Sequence, residues 1–265
     1  MTTPETLSGI DYQRINDMIK SEFSRNQLLQ YLSRHPTGTP LFLEDWSYGR
    51  AYSIDTAGAG YLEVVYKSDE VGAVEQPNVF NGKAMGKLAT PGTGAIDATE
   101  IFYNMMPLSN MRLGMEVNFA LPHNSLTDIR AAYSYINLGA IRLQKRVGGL
   151  TVMYNPTLYY WPNTDSIQLS GVPGDPFILT NVFGQLYSTR WFLVWHNLKF
   201  IVDFENLKTV KLYFNDLEID LSAYTIEQKA RIHPLPMLQF LLGPADKGSQ
   251  AVMFVGNLML TMEEP

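Results

Sequence analysis

Between residues 111 and 119 apolar and polar residues alternate without a break. Met111, Leu113, Met115, Val117 and Phe119 fall on one face, and Arg112, Gly114, Glu116 and Asn118 on the other. A period of two describes a half-buried β-strand. The rhythm returns from residue 192 to 204, where Phe192, Val194, Leu198, Phe200, Val202 and Phe204 share one face with His196 in their phase. After the turn "ENLK", Val210, Leu212 and Phe214 take the inner face, and Asn215-Asp216 reads as a two-residue hairpin loop. Both residue types tolerate the positive φ such loops need. Past the loop the phase changes: Leu217, Ile219 and Leu221 point inward, Glu218 and Asp220 outward, as a tight turn requires if the core face is kept. "GAIRLQKRVGGLTVMYN" reads as strand, Gly148-Gly149 turn, strand. "AVMFVGNLMLTM" reads as a last strand with Phe254, Leu258, Leu260 and Met262 in phase and Gly256 between them.

Helical spacing is confined to residues 10 to 34. Tyr12, Ile15, Ile19 and Phe23 recur on one helical face, and Ser24 with Gln27 has the spacing of a capping box that starts a second helix. Pro36 and Pro40 stop it. Many alternating strands joined by Gly, Pro and Asn turns predict an all-β protein, an antiparallel jelly-roll β-sandwich over residues 41 to 265. A short N-terminal helical arm, residues 1 to 40, precedes it. Its stripe of Ile15, Ile19, Phe23, Leu28, Leu29 and Leu32 must be buried, either against the sandwich or against another subunit.

Composition narrows the function classes. The chain has 265 residues and a formal charge of −6, so a phosphate-tracking nucleic-acid surface has no electrostatic support. There is no Cys, which removes disulfides, thiolate catalysis and Cys-based zinc sites. No basic region with an apolar core opens the sequence and no run approaches a membrane span, so the expectation is cytoplasmic synthesis without a signal peptide.

Candidate chemistry is sparse. His35, His123, His196 and His233 are scattered with no pair at ligand spacing. "WPNTDS" and "GVPGDPF" carry oxygen ligands without the dense alternating carboxylates of a calcium loop, and both read as turns. "GKAMGKL" lacks the spacing and the Ser/Thr of a phosphate loop. No cofactor, no metal and no catalytic residue is therefore expected. The feature with binding character is "YNPTLYYWPNTD". Tyr159, Tyr160 and Trp161 are consecutive, so on a strand at least one ring faces away from the core. Tyr133 and Tyr135 add two rings in matching phase. These five aromatics are the candidate surface for a glycan or a protein partner, since sugar CH faces stack on aromatic rings while neighbouring amides and carboxylates take hydroxyls. Packing of sheet aromatics across strands is the alternative.

Four stretches carry a family resemblance: "LFLEDWSYG", "NVFNGKAMGKLATPG", "RLGMEVNFAL" and "TRWFLVWHNLKFIVDFENLKTVKLYFNDLEIDLS". They resemble the concanavalin A-like lectin/glucanase superfamily, including laminin-G-like domains, over about half of residues 41 to 262. The resemblance implies a jelly-roll sandwich, a fold that hosts lectins, glycanases, lyases and structural domains. The glucanase branch carries Glu-x-Asp-x-Glu spacing on one strand, which places two carboxyls about 5 Å apart for retaining hydrolysis. Glu218-Ile219-Asp220 lacks the second Glu and faces outward; Glu116 stands beside Asn118 on a non-core face. The functional expectation is a non-enzymatic structural or adhesive subunit of a multi-chain assembly, such as a virion or other particle surface, with protein subunits meeting through the arm. A carbohydrate-binding module is the second reading, and a polysaccharide hydrolase or lyase working through Glu116 the third.

Overall fold

The structure is a computed structural model that describes residues 38–44, 53–56, 61–66, 84–92, 98–105, 112–123, 125–147, 150–182, 195–230 and 237–264. Residues 1 to 37 of the arm, Phe192 and Val194 lie outside the described residues, and Thr39 and Pro40, read as part of the arm, belong to a strand. Two antiparallel sheets form a sandwich of the jelly-roll class. With strands numbered in chain order, the first sheet runs β14 (Leu217–Asp220), β13 (Lys208–Phe214), β12 (His196–Asp203), β6 (Arg112–Ala120), β17 (Val252–Met262), β4 (Ala84–Ala89) and β3 (Tyr61–Tyr66). The other edge of β17 is shared: β4 pairs with its first part and β1 (Thr39–Glu44) with its last. A first strand joined to the last closes the domain on itself.

The second sheet runs β11 (Phe177–Thr180), β10 (Ser166–Ser170), β9 (Thr157–Trp161), β7 (Tyr133–Val147), β16 (Met237–Asp246), β5 (Thr99–Met105) and β2 (Ser53–Thr56). The long β7 pairs with β9 along its first part and with β8 (Leu150–Tyr154) beyond it, and β15 (Gln228–Ala230) adds to β8. Among the described residues no helix is long and apolar enough to cross a membrane.

The core lies between the sheets and follows the alternation. Leu113, Met115, Val117 and Phe119 of β6 and Leu198, Phe200 and Val202 of β12 meet Ile136, Ile141 and Leu143 of β7 and Leu158 of β9. Burying each such side chain contributes about 1.5–3 kcal/mol. The hairpin at Asn215-Asp216 forms as read, with Phe214 opposite Leu217 and Asn215 at φ 54. Leu217, read as inward, is 38% exposed at the sheet edge, whereas Ile219 packs half-buried against the core and Leu221 is fully buried.

Three departures have local causes. Residues 126 to 132 form a helix, α1 (Leu126–Ala132), which the strand rhythm conceals; Ser125 caps it by accepting the Asp128 N–H at 3.1 Å. A register shift between Val255 and Leu258 inserts a bulge in β17. Met253 and Val255 therefore join Leu258 and Leu260 in the core, and Phe254 turns to the opposite face. Finally, β6 is buried on both faces: Glu116 and Asn118 are each 3% exposed.

His196 lies in the core phase its position implies. It is 2% exposed, stacks on Phe214 at 6.1 Å and 9° and packs against Phe119 at 5.6 Å. Asn215 Oδ1 accepts the Asn197 N–H, which turns Asn215 Nδ2 to donate to His196 Nδ1 at 3.1 Å. Burial lowers the imidazole pKa to about 4 from its ordinary 6.5. The unfolded chain therefore binds more protons between those values. Stability is full above about pH 6.5, falls as the pH drops toward 4 and levels off below it, by about 3 kcal/mol at most. In urea titrations across this range, His196→Phe keeps an aromatic ring without a titrating proton and is expected to flatten that segment. An unchanged slope in the variant would assign it to other groups.

Candidate functional site

The aromatic run at 159 to 161 sits on β9, where side chains alternate between faces. Leu158 and Tyr160 point into the core, and both are 0% exposed. Tyr159 and Trp161 therefore point outward, and both are half-buried. The strand is followed by a turn in which Tyr160 donates its hydroxyl to Asp165 Oδ1 at 3.0 Å, with Asp165 itself at φ 49. "WPNTDS" is thus the connection that fixes β9 against β10. "GVPGDPF" is the next one, with Gly171 N–H donating to Asp175 Oδ1 at 3.0 Å.

Tyr135 reaches the same outward surface from β7. Its ring meets Tyr159 edge-on, 5.4 Å between centroids and 88° between planes, and meets Trp161 at 5.6 Å and 47°. Tyr159 and Trp161 close the triangle at 6.1 Å and 53°. Tyr133, read in phase with Tyr135, is 0% exposed and belongs to the core, where its hydroxyl donates to Val252 O of the first sheet. The reason is a register shift between Ala245 and Asp246 opposite these residues, at the junction where α1 hands over to β7. Of the five candidate aromatics, three therefore form one outward cluster and two are core. Burial raises the pKa of Tyr133 and of Tyr160, with Asp165 adding to the rise at Tyr160, so neither phenol ionises in the physiological range.

A polar array flanks the cluster. Asn137 is the cross-strand partner of Tyr159, and its Nδ2 donates to Glu100 Oε1 of β5 at 2.8 Å. That bond spans β16, which lies between the two strands. It can do so because the β16 residue paired with Asn137 is Gly243; a Cβ there would lie 2.8 Å from Glu100 Cα. Asn137 Oδ1 also accepts the Gly139 N–H at 3.1 Å, which closes the bulge of β7. On the far side of the same face, Arg142 donates from Nε to Asn155 Oδ1 at 3.2 Å and from Nη1 to Gln239 Oε1 at 2.6 Å. Burial, then the Glu100 charge, raise the Tyr135 pKa; the same two causes push Tyr159 up to about 12. The indole nitrogen of Trp161 is buried and makes no hydrogen bond to the described residues, so the side-chain surface Trp161 shows to solvent is carbon. The face thus combines aromatic carbon with a carboxylate held beside it, an arrangement that stacks on and accepts from a polyhydroxyl ligand.

The residues weighed for hydrolysis are elsewhere. Glu218 and Asp220 lie on the edge strand β14, exposed, with Glu218 paired to Lys211. Glu116 is in the middle of the first sheet, on the opposite side of the molecule from the aromatic cluster. Its Oε1 accepts from Asn197 Nδ2 at 3.1 Å, and the same amide nitrogen donates to Asn118 Oδ1 at 3.0 Å. This buried amide–carboxylate knot ties β6 to β12.

No family model matches the sequence. No curated protein matches it either. The chain is similar to solved structures at low sequence identity. A carbohydrate esterase of the Shiga toxin-encoding bacteriophage phi24B is 13% identical, with a TM-score of 0.48 over 85% of this chain and 99% of that one. The cellulose-induced protein Cip1 is 10% identical, with a TM-score of 0.41 over 83% and 96%. The CBM22-1 xylan-binding domain of Paenibacillus barcinonensis Xyn10C is 10% identical, with a TM-score of 0.36 over 86% and 97%.

Proposed function

We propose that the protein is a glycan-binding module without chemistry of its own, and that the outward face of the second sheet is its binding surface. One observation carries this reading. Tyr135, Tyr159 and Trp161 form a half-exposed aromatic cluster beside the buried-amide-anchored carboxylate of Glu100. Three large rings turned away from the core have no role in holding the sheets together, whereas sugar rings use both halves of such a surface. The candidate carboxylates for hydrolysis sit apart from it, Glu116 in a buried knot and Glu218 in a surface ion pair. The assembly reading of the sequence rests on the helical spacing of residues 10 to 34, outside the described residues.

The test is retention on a polysaccharide panel. The parent is expected to be retained by at least one polymer, and Trp161→Ala to weaken retention about thirtyfold, the size of an interface hot spot of about 2 kcal/mol. Its melting temperature should move by only a few degrees, since the lost ring contacts amount to about 1 kcal/mol. A parent retained by no polymer, together with strong destabilisation in the variant, would make the rings structural. The same polymers assayed for new reducing ends or unsaturated products test the absence of chemistry. Turnover that disappears in Glu116→Gln would overturn it.

A further inference from the structure

The strand pairing places one residue of each of six neighbouring strands in a single outward row. Phe177 of β11 pairs with Gln168 of β10, and Gln168 pairs with Tyr159 of β9. Tyr159 pairs with Asn137 of β7, and Asn137 with Gly243 of β16. Past Gly243 the row ends at Glu100 of β5, whose carboxylate the Asn137 amide reaches. Partners in register point to the same face of a sheet, so these residues form a track running across the strands. It reads aromatic, amide, aromatic, amide, glycine, carboxylate. Phe177 stands 52% exposed at one end, although a large apolar side chain gains nothing there from water.

We infer that this row is a binding track for a single extended chain of neutral sugars, with Phe177 as an outer stacking subsite. The inference rests on the glycan-binding reading and adds to it a direction, a length and a chemical class. Strands lie about 4.8 Å apart, so Phe177 and Tyr159 are about 10 Å apart, a disaccharide's length; the accessible length of the row is this outer part, since Asn137 and Gly243 are buried. The class follows from two features. The rings of the cluster are tilted 47° to 88° to one another, so they form a cleft for one chain and not the coplanar array that a flat crystalline face would need. Glu100 lies at the inner end, next to Tyr135 and Tyr159, where a carboxylate accepts from neutral hydroxyls and repels a uronate. Asn137 is 2% exposed and acts as a positioning residue that holds Glu100. Gln168 Nε2 donates to Asp175 O at 2.7 Å, which fixes the amide between the two aromatic subsites.

The experiment is calorimetric titration with cello-, xylo- and manno-oligosaccharides of increasing length, with oligogalacturonates as the acidic counterpart. Affinity for a neutral series should rise with chain length up to the span of the row and then level off. Phe177→Ala should remove about tenfold of the affinity for the longest members and leave the shortest unchanged. Trp161→Ala should weaken every length. Glu100→Gln should weaken the neutral series and narrow its advantage over oligogalacturonate. A length dependence untouched by Phe177→Ala, with Trp161→Ala still damaging, would overturn the track and leave the glycan-binding reading standing. A parent that prefers oligogalacturonate overturns the neutral class. No heat with any series, and no retention on the polysaccharide panel, overturns both readings together.

Discussion

Replacing Glu264 by Ala is expected to lower the unfolding free energy by about 3–5 kcal/mol, among the largest effects a single side chain can have in this fold. Glu264 follows the last strand and turns its carboxylate back over the outward face of the first sheet. There it meets Lys199 Nζ at 2.8 Å, and both side chains are fully buried. Lys199 stands in the middle of β12, a position where a lysine ordinarily reaches water. Removing either partner takes away the counter-charge 2.8 Å from the other inside a fully buried site, which is why the single substitution is so damaging. The site is shaped for the carboxylate. Thr261 donates its hydroxyl to Glu264, and a Cβ on Gly38 or Gly114 would come within 2.6 Å of Glu264 Oε1.

The pair also makes a prediction that separates charge from packing. In urea denaturation Lys199→Met should be about as damaging as Glu264→Ala, because it removes the cation from a buried carboxylate. The double variant Lys199→Met/Glu264→Gln should recover most of the loss, since a neutral amide fits where the carboxylate fitted and the two charges of the pair leave together. Additive losses in the double variant, or single losses below about 1 kcal/mol, would show that the pair is hydrated in solution and that this face of the first sheet is open.

The parts of the fold legible in the sequence are those set by local parity. Leu198, Phe200, Val202 and His196 share a face because a strand alternates, and Phe214 returns to that face because it pairs with Leu198 across the β12–β13 hairpin. Parity fails where the backbone inserts a residue. The bulge at Gly256-Asn257 exchanges Phe254 for Met253 and Val255, and nothing in the apolar pattern of "AVMFVGNLMLTM" distinguishes the two phases. β16 shows no alternation because it is central and buried on both faces, with Leu238, Phe240 and Leu242 inward and Leu241 buried on the other side. Its Pro244 also argues against a central strand, and the register shifts on either side of that residue are how the sheet accommodates it. α1 left a readable mark, the Ser125-x-x-Asp128 capping spacing, although helical spacing is otherwise confined to residues 10 to 34.

The aromatic cluster was legible only in part for the same reason. Consecutive Tyr159, Tyr160 and Trp161 require an outward ring, but which ones depends on whether Leu158 is core, and that is fixed by pairing with Gly139 of β7. The polar partners were beyond reach. Glu100, Asn137, Gln168, Phe177 and Gly243 come from five strands spread over more than half the chain, and only the register brings them into a row. A glycine at position 243 signals nothing on its own; its meaning is the bond that passes over it.

That meaning has a measurable consequence. Gly243→Ala is expected to destabilise the protein by about 2–4 kcal/mol and to dismantle the inner end of the site. The new Cβ would run into the Thr99 carbonyl and lie 2.8 Å from Glu100 Cα, both backbone atoms of β5, at a φ of 156 that side chains rarely adopt. Backbone within a paired strand cannot step aside as a side chain can, so β5 must move away from β16 and carry Glu100 with it. Gly139→Ala is the control. Its Cβ would meet Met115 Cε, the free end of a flexible side chain that can rotate away, so the loss there should be about 1 kcal/mol. Calorimetric melting of the two variants decides whether the difference lies in what the Cβ strikes. If Gly243→Ala melts no lower than Gly139→Ala, then β5 yields easily at this point, and Glu100 is held by its own hydrogen bond to Asn137 and not by the close approach of two strands.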